Sequence, residues 1–310
     1  MSRPLALALA RRGAGFLATA AGAMVLVQVL LALAPGDAID TLPNAEELRP
    51  LLAAEWGLDA PLPVRLARAL ARALSGDLGH SLTVRPGTQV LSLLADTGGP
   101  SILRVGAAAL LAVVVGFTVS RHGLFRRGAE LVSAVPAVIL ALIAVHGLNT
   151  IAYACIERGW MTRPAWFALP AEDHPARTLL AVTILAVSSG NLAQVAASAR
   201  ADLETLLDAP FVEAERARSG AVGTLVARHL VVPVARALAG QAAVLLGSLV
   251  VVEHGLSLGG AGALFFQAVR LRDWPLAAGL AALAGTAVAS ARLCAELVEV
   301  GIDPRARGAR

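Results

Sequence analysis

The sequence predicts an all-α protein whose chain crosses a bilayer six times, and three observations carry that prediction. Apolar residues make up 57% of the 310 and charged residues only 15%, against roughly 45–50% and 25% in soluble domains. Apolar runs close to the ~20 residues needed to span a hydrocarbon core recur along the chain. Arginines gather in alternate connections, which marks one side of the membrane. Mean hydropathy is +0.70. All 26 basic residues are arginine, and the net charge of +4 suits anchoring to anionic lipid. No basic cluster interleaved with aromatics is present, so no nucleic acid is expected as a partner.

Taken in order, residues 1–34 form an N-terminal tail and the first span. Arg3, Arg11 and Arg12 precede an apolar run over 14–33. A cleavable signal peptide has a shorter apolar region of about 7–15 residues, and five more spans follow, so the run reads as an anchor. Residues 35–100 form a long extracytoplasmic segment. Within it, 65–74 has charges on one helical face and Leu and Ala on the other, which fits a helix lying on a membrane surface. Residues 101–310 supply a five-helix core that includes a cytosolic loop over 200–236.

The second span is expected over 102–120, with Arg104 near its outer end. The third, over 131–153, contains Pro136, which should kink it. His146 and Asn149 fall at its outer interface, and Trp160 and Trp166 in the following loop suit interfacial anchoring. The fourth, over 179–199, carries Asn191 and Gln194 at i,i+3. They read first as helix-packing contacts and alternatively as lining for a polar path. The fifth begins at Pro233 and reaches 252, where Gly240 and Gly247 would allow close helix approach. The sixth covers 276–293. Inner segments hold roughly fifteen arginines and short outer loops about five, so both termini are expected in the cytosol.

Between the fourth and fifth spans lies one polar stretch, 208–233. Pro210 suits the first turn of a helix, where its missing N–H is no loss. Two turns should follow over 211–218, with Glu213/Arg216 and Glu215/Arg218 as supporting pairs. Ala214, Ala217 and Ala221 share one shallow stripe. Ser219-Gly220 should end the helix, with glycine in the left-handed conformation. By itself this is a short amphipathic helix, either a solvated connector or a docking element.

The chemistry of an enzyme is missing from the sequence. A P-loop ends in Gly-Lys-Ser/Thr, and the chain has no lysine. Gly260-x-Gly262 lacks the third glycine and the preceding strand of a dinucleotide fingerprint. The histidines lack metal-ligand spacing. Cys155 and Cys294 fall near opposite membrane faces, so no disulfide is expected. No catalytic residue, metal or cofactor is assigned.

Several short segments, in order, resemble one family. They are Ala34-Pro35-Gly36-Asp37, the Gly57-Leu58-Asp59 … Pro61-Leu62-Pro63 stretch, and Gly76-Asp77-Leu78-Gly79 followed by Ser81. Farther on come Val251-Val252-Glu253, Arg272-Asp273-Trp274-Pro275, and Ile302-Asp303-Pro304-Arg305-Ala306-Arg307. Together they are similar to the dipeptide/oligopeptide/nickel subfamily of ABC-importer permeases, first of the two permease subunits. The resemblance implies the ABC type I importer permease fold in a bacterial inner membrane. It also implies a partner set: a second homologous permease, two cytosolic ATP-binding subunits and an extracytoplasmic solute-binding protein.

The polar stretch then resembles the family's ATPase-coupling loop. The residues carried over are Phe211, Val212, Glu213, Ala214, Glu215, Ala217, Arg218, Ser219, Gly220, Arg228 and His229. The family has alanine where Glu215 stands and glycine where Ser219 stands. Pro136, Asn191 and Gln194 are carried as pathway or helix-packing residues. Two alternatives stay open: a structural subunit derived from a permease but no longer transporting, and an ion-coupled secondary transporter. The latter usually needs acids deep in its spans, whereas Glu130, Glu253 and Glu296 sit near span ends. The solute is open among peptides, nickel or its chelates and related small molecules.

Overall fold

A computed structural model describes residues 3–120, 123–160, 175–188, 190–218 and 220–302. Among the described residues the fold is all-α, with twelve α-helices and no strand. They are α1 (Arg3–Leu33), α2 (Ala45–Glu55), α3 (Leu62–Leu74), α4 (Val90–Ser120), α5 (Gly123–Ser133) and α6 (Ala137–Glu157). Then follow α7 (Pro175–Val187), α8 (Asn191–Leu207), α9 (Pro210–Ala217), α10 (Val222–Gly255), α11 (Ala261–Arg270) and α12 (Trp274–Ile302). Trp166, Ser219 and the segment from Asp303 onward lie outside the described residues.

Among the described residues five helices are long and apolar enough to cross a bilayer: α1 from Gly13, α4, α6, α10 and α12. The remaining predicted span is divided between α7, a shorter apolar helix, and α8. The division falls at Gly190, whose φ of +79° is costly for residues with a Cβ and free for glycine. The predicted kink at Pro136 is a full break. Its ring clashes with the carbonyl four residues back, so α5 stops at Ser133 and Pro136 becomes the N-cap of α6 with ψ 145°. The two breaks compensate each other, because the Gly190 N–H donates to the Ser133 carbonyl at 2.6 Å. A membrane interior tolerates interrupted helices only where such groups find protein partners.

Two other boundaries differ from the sequence expectation. Helix α4 begins at Val90 rather than 102 and continues through Pro100, because Val90, Leu93 and Leu94 are buried in a core. Burial there outweighs the poor helix propensity of the Gly98-Gly99-Pro100 stretch. Helix α10 likewise begins at Val222 and runs through Pro233 without a break.

The chain forms two compact units. Unit one comprises residues Met1–Ser101 and Gly259–Ser290. Its core joins Val90, Leu93, Leu94, Leu264, Ala268, Leu276 and Leu280. Helix α12 approaches its neighbours closely here, since a Cβ on Gly285 would lie 2.9 Å from Ala20 Cα and one on Gly279 2.5 Å from Val90 Cγ1. Gly240 and Gly247, expected to play this part, have no described atom within 4 Å of a Cβ position.

Asp273, fully buried, explains why the signature segments of unit one occur together. Its Oδ1 caps α12 by accepting the Leu276 N–H at 3.3 Å. Its Oδ2 accepts the Ser81 hydroxyl at 2.5 Å and the N–H groups of Leu82, Thr83 and Val84 at 2.9–3.1 Å. Next to it, the Arg272 guanidinium donates to the Gly36 carbonyl at 2.7 Å, and Arg65 lies over the Trp274 ring at 5.6 Å. Segments around residues 36, 65, 81 and 273 therefore meet.

Unit two comprises Ile102–Leu258 and Ala291–Arg310. Its main core packs α4, α6, α7 and α10 around Ala108, Ala112, Ala141, Leu185, Leu245 and Leu249. Within this unit Arg104 Nη1 meets Glu253 Oε1 at 2.7 Å, with the two side chains 5% and 0% exposed. Removing either partner from a buried pair strands a charge, at about 3–5 kcal/mol, whereas replacing both with apolar groups can be neutral. Arg104→Ala and Glu253→Ala should each lower the thermal unfolding midpoint in detergent sharply. Arg104→Met/Glu253→Leu should recover most of the loss, and a double variant no better than the singles would contradict the pairing.

Candidate functional site

The candidate coupling element forms where the sequence places it. Pro210 occupies the first turn of α9, and Ala209, extended with ψ 137°, precedes it as N-cap. The helix ends at Ala217, one residue short of the expectation, with Arg218 as its C-cap. The Gly220 N–H donates to the Glu215 carbonyl at 3.0 Å, the six-to-one bond of a Schellman close. The φ of Gly220 is not positive. The Glu215 side chain folds against it: a Cβ there would stand 2.0 Å from Glu215 Oε1 and would displace that carboxylate. Neither Glu213/Arg216 nor Glu215/Arg218 is an ion pair among the described residues, and α9 takes its stability from packing.

That packing rests on Val212. It is 0% exposed and joins Val226 and Leu230 of α10, with Leu203, Leu206 and Leu207 of α8 around them. Phe211 is 42% exposed and meets His229 edge-on, ring centroids 5.0 Å apart. Such pairs contribute about 0.5–1.5 kcal/mol beyond area burial. Glu213, Ala214, Arg216 and Ala217 are exposed, as are Arg218 and Arg228. One face of α9 is thus held by α8 and α10, and the opposite face presents two alanines flanked by charges of both signs. With small side chains at its centre, that face can seat in a groove at little cost in rotamer entropy.

Helix α10 extends this anchorage. Its 34 residues reach roughly 50 Å at 1.5 Å per residue. His229 and Leu230 near its start touch α9, Gln241 farther along donates through Nε2 to Gln194 Oε1 on α8, and Glu253 near its end pairs with Arg104. The Gln241–Gln194 hydrogen bond joins α8 to α10. Pro136 caps α6 at the break described above, and Asn191 opens α8. Near these breaks Ser133 Oγ, Ser188 Oγ and Gln241 Oε1 are buried without a hydrogen-bond partner among the described residues.

Sequence reasoning missed the Arg104–Glu253 pair, although the sign was present: one lone cation and one lone anion, each near the end of an apolar run. It also missed the role of Asp273, which needs distant segments to meet.

No known protein-family profile matches the chain. It is 29% identical over 301 residues to a Brucella ovis protein named a peptide permease, covering 91% of this chain and 92% of that one. It is 26% identical over 284 residues to the glutathione transport system permease protein of Pectobacterium atrosepticum, covering 86% and 87%. It is 26% identical over 335 residues to the di/tripeptide transport system permease protein of Pseudomonas aeruginosa, covering 97% and 99%. Fold and relatives together make the chain a multi-pass inner-membrane protein of the all-α class. It is, more narrowly, a transmembrane permease subunit of the ABC-importer type.

Val212→Ala removes two buried methyl groups and should cost about 2 kcal/mol at this small core. Limited proteolysis should cut between 208 and 221 faster in the variant, while cleavage in 76–90 is unchanged. Equal cleavage rates at 208–221 would show that Val212 does not hold α9.

Proposed function

We propose that the chain is one of two permease subunits of an ATP-driven peptide importer, and that α9 docks in a groove of a cytosolic ATP-binding subunit. The anchored helix with its outward alanine face is the observation that carries this reading. A connector transmits a change in the motor only if it contacts the motor differently in two states. A helix fixed to α8 and α10 by Val212, yet open on its other side, meets that requirement. The peptide substrate rests on the names of the relatives.

The rest of the assembly follows the same reading. A second homologous permease completes the path, a second ATP-binding subunit completes the motor, and a solute-binding protein delivers substrate from outside. Both termini and loop 200–236 are cytosolic, and 35–100 is extracytoplasmic, as the arginine distribution supports. The path lies in residues 101–310, with the breaks at Pro136 and Gly190 beside it.

Ala217→Asp places a charge in the docking face, where an unpaired buried charge costs several kcal/mol. In the reconstituted complex it should abolish substrate-stimulated ATP hydrolysis and tripeptide uptake while leaving membrane insertion intact. Full coupling would return α9 to a solvated connector. Single cysteines should label from outside at Asp59 and from inside at Arg126 and Arg218, and the reverse pattern would overturn the orientation.

A further inference from the structure

Unit one contains a cavity of about 780 Å³ between α1, α3 and the start of α12, within the 300–1,000 Å³ typical of small-ligand sites. A second cavity of about 240 Å³ shares Gln28, Arg65 and Trp274 with it. Gln28 is 6% exposed. Its Nε2 and the Nε1 of Trp274 are both buried without a hydrogen-bond partner among the described residues. Both orphaned groups are donors, and the indole N–H has no other capacity. What they lack is an acceptor.

Charge at the same place points the same way. Arg65 lies over the Trp274 ring at 5.6 Å, and neither it nor Arg68, which also lines the larger cavity, is in an ion pair among the described residues. Burial holds the Arg65 guanidinium below its ordinary value, which the charge of Asp37 offsets only in part. A partly desolvated cation beside two unsatisfied donors calls for an anionic oxygen, and a carboxylate, which only accepts, satisfies all three. The larger cavity also has Glu55 and Asp77 in its lining. Walls of both signs fit a zwitterion better than a simple anion.

We propose that this cavity is a subsite for a short peptide, its terminal carboxylate held by Gln28, Arg65 and Trp274 and its ammonium end facing the acidic lining. The proposal rests on the peptide-importer reading and deepens it. The permease then contributes its own contact to the solute, in addition to what a solute-binding protein recognises.

The purified full chain in detergent should bind trialanine by calorimetry, and trialanine amide at least tenfold more weakly. Gln28→Leu and Arg65→Gln should each weaken trialanine at least tenfold, and Arg65→Lys, which keeps the charge, should recover part of the loss. An unchanged unfolding midpoint in Arg65→Gln keeps the comparison free of misfolding. No binding by the wild type, equal binding of acid and amide, or unaltered binding by both variants would overturn the subsite. So would a phospholipid that copurifies with the wild type and is lost in Arg65→Gln. Tripeptide uptake by the assembled complex separates this from the wider reading. Uptake that persists unchanged in Gln28→Leu rejects the subsite alone, and absent uptake by the wild-type complex rejects the importer.

Discussion

Helix α10 runs unbroken from Val222 to Gly255 although Pro233 removes one of its backbone donors, and unit two is tied to it at three levels. Near its start Val226 and Leu230 bury Val212. Farther along, Gln241 reaches Gln194. Near its end Glu253 holds Arg104 in a buried ion pair. A proline in a helix interior costs about 3 kcal/mol in water, and packing on several faces is what such a helix needs to stay whole. Because α10 is one piece, its contacts with α9 at one end and with the packed core at the other belong to a single continuous helix.

The interrupted helices supply the complementary property. Helices α5 and α6 part at Pro136, α7 and α8 part at Gly190, and the two breaks share one hydrogen bond. Three buried polar atoms nearby lack described partners. Continuous helices transmit and broken ones yield, since local opening concentrates where contacts and satisfied groups are fewest. Such an arrangement places rigidity along α10 and adaptability beside it.

Much of this was legible in the sequence. Five of the six span positions follow from apolar runs, and α9 from Pro210 and the polar stretch around it. Features set by one residue's local geometry were legible in part. Pro136 was expected to kink a helix and breaks it instead, while Gly190 gave no signal, because glycine is ordinary within membrane helices. The left-handed conformation expected of Gly220 is not found there, since its φ is not positive. Features that join distant segments were not legible. Nothing local in Ser81 or Asp273 says that one carboxylate oxygen takes four donors from a turn nearly two hundred residues away. The orphaned donors of Gln28 and Trp274 are visible only once folding has buried them.

The outward face of α9 is the surface proposed to meet the motor. Replacing Cys155 and Cys294 by serine leaves a chain without thiols, in which Ala214→Cys can be cross-linked within the assembled complex. A short cross-linker should join it to the ATP-binding subunit, with a yield that changes when ATP is added. Absence of that product, with Ala214→Cys still reacting freely with a soluble thiol reagent in the complex, would contradict the account.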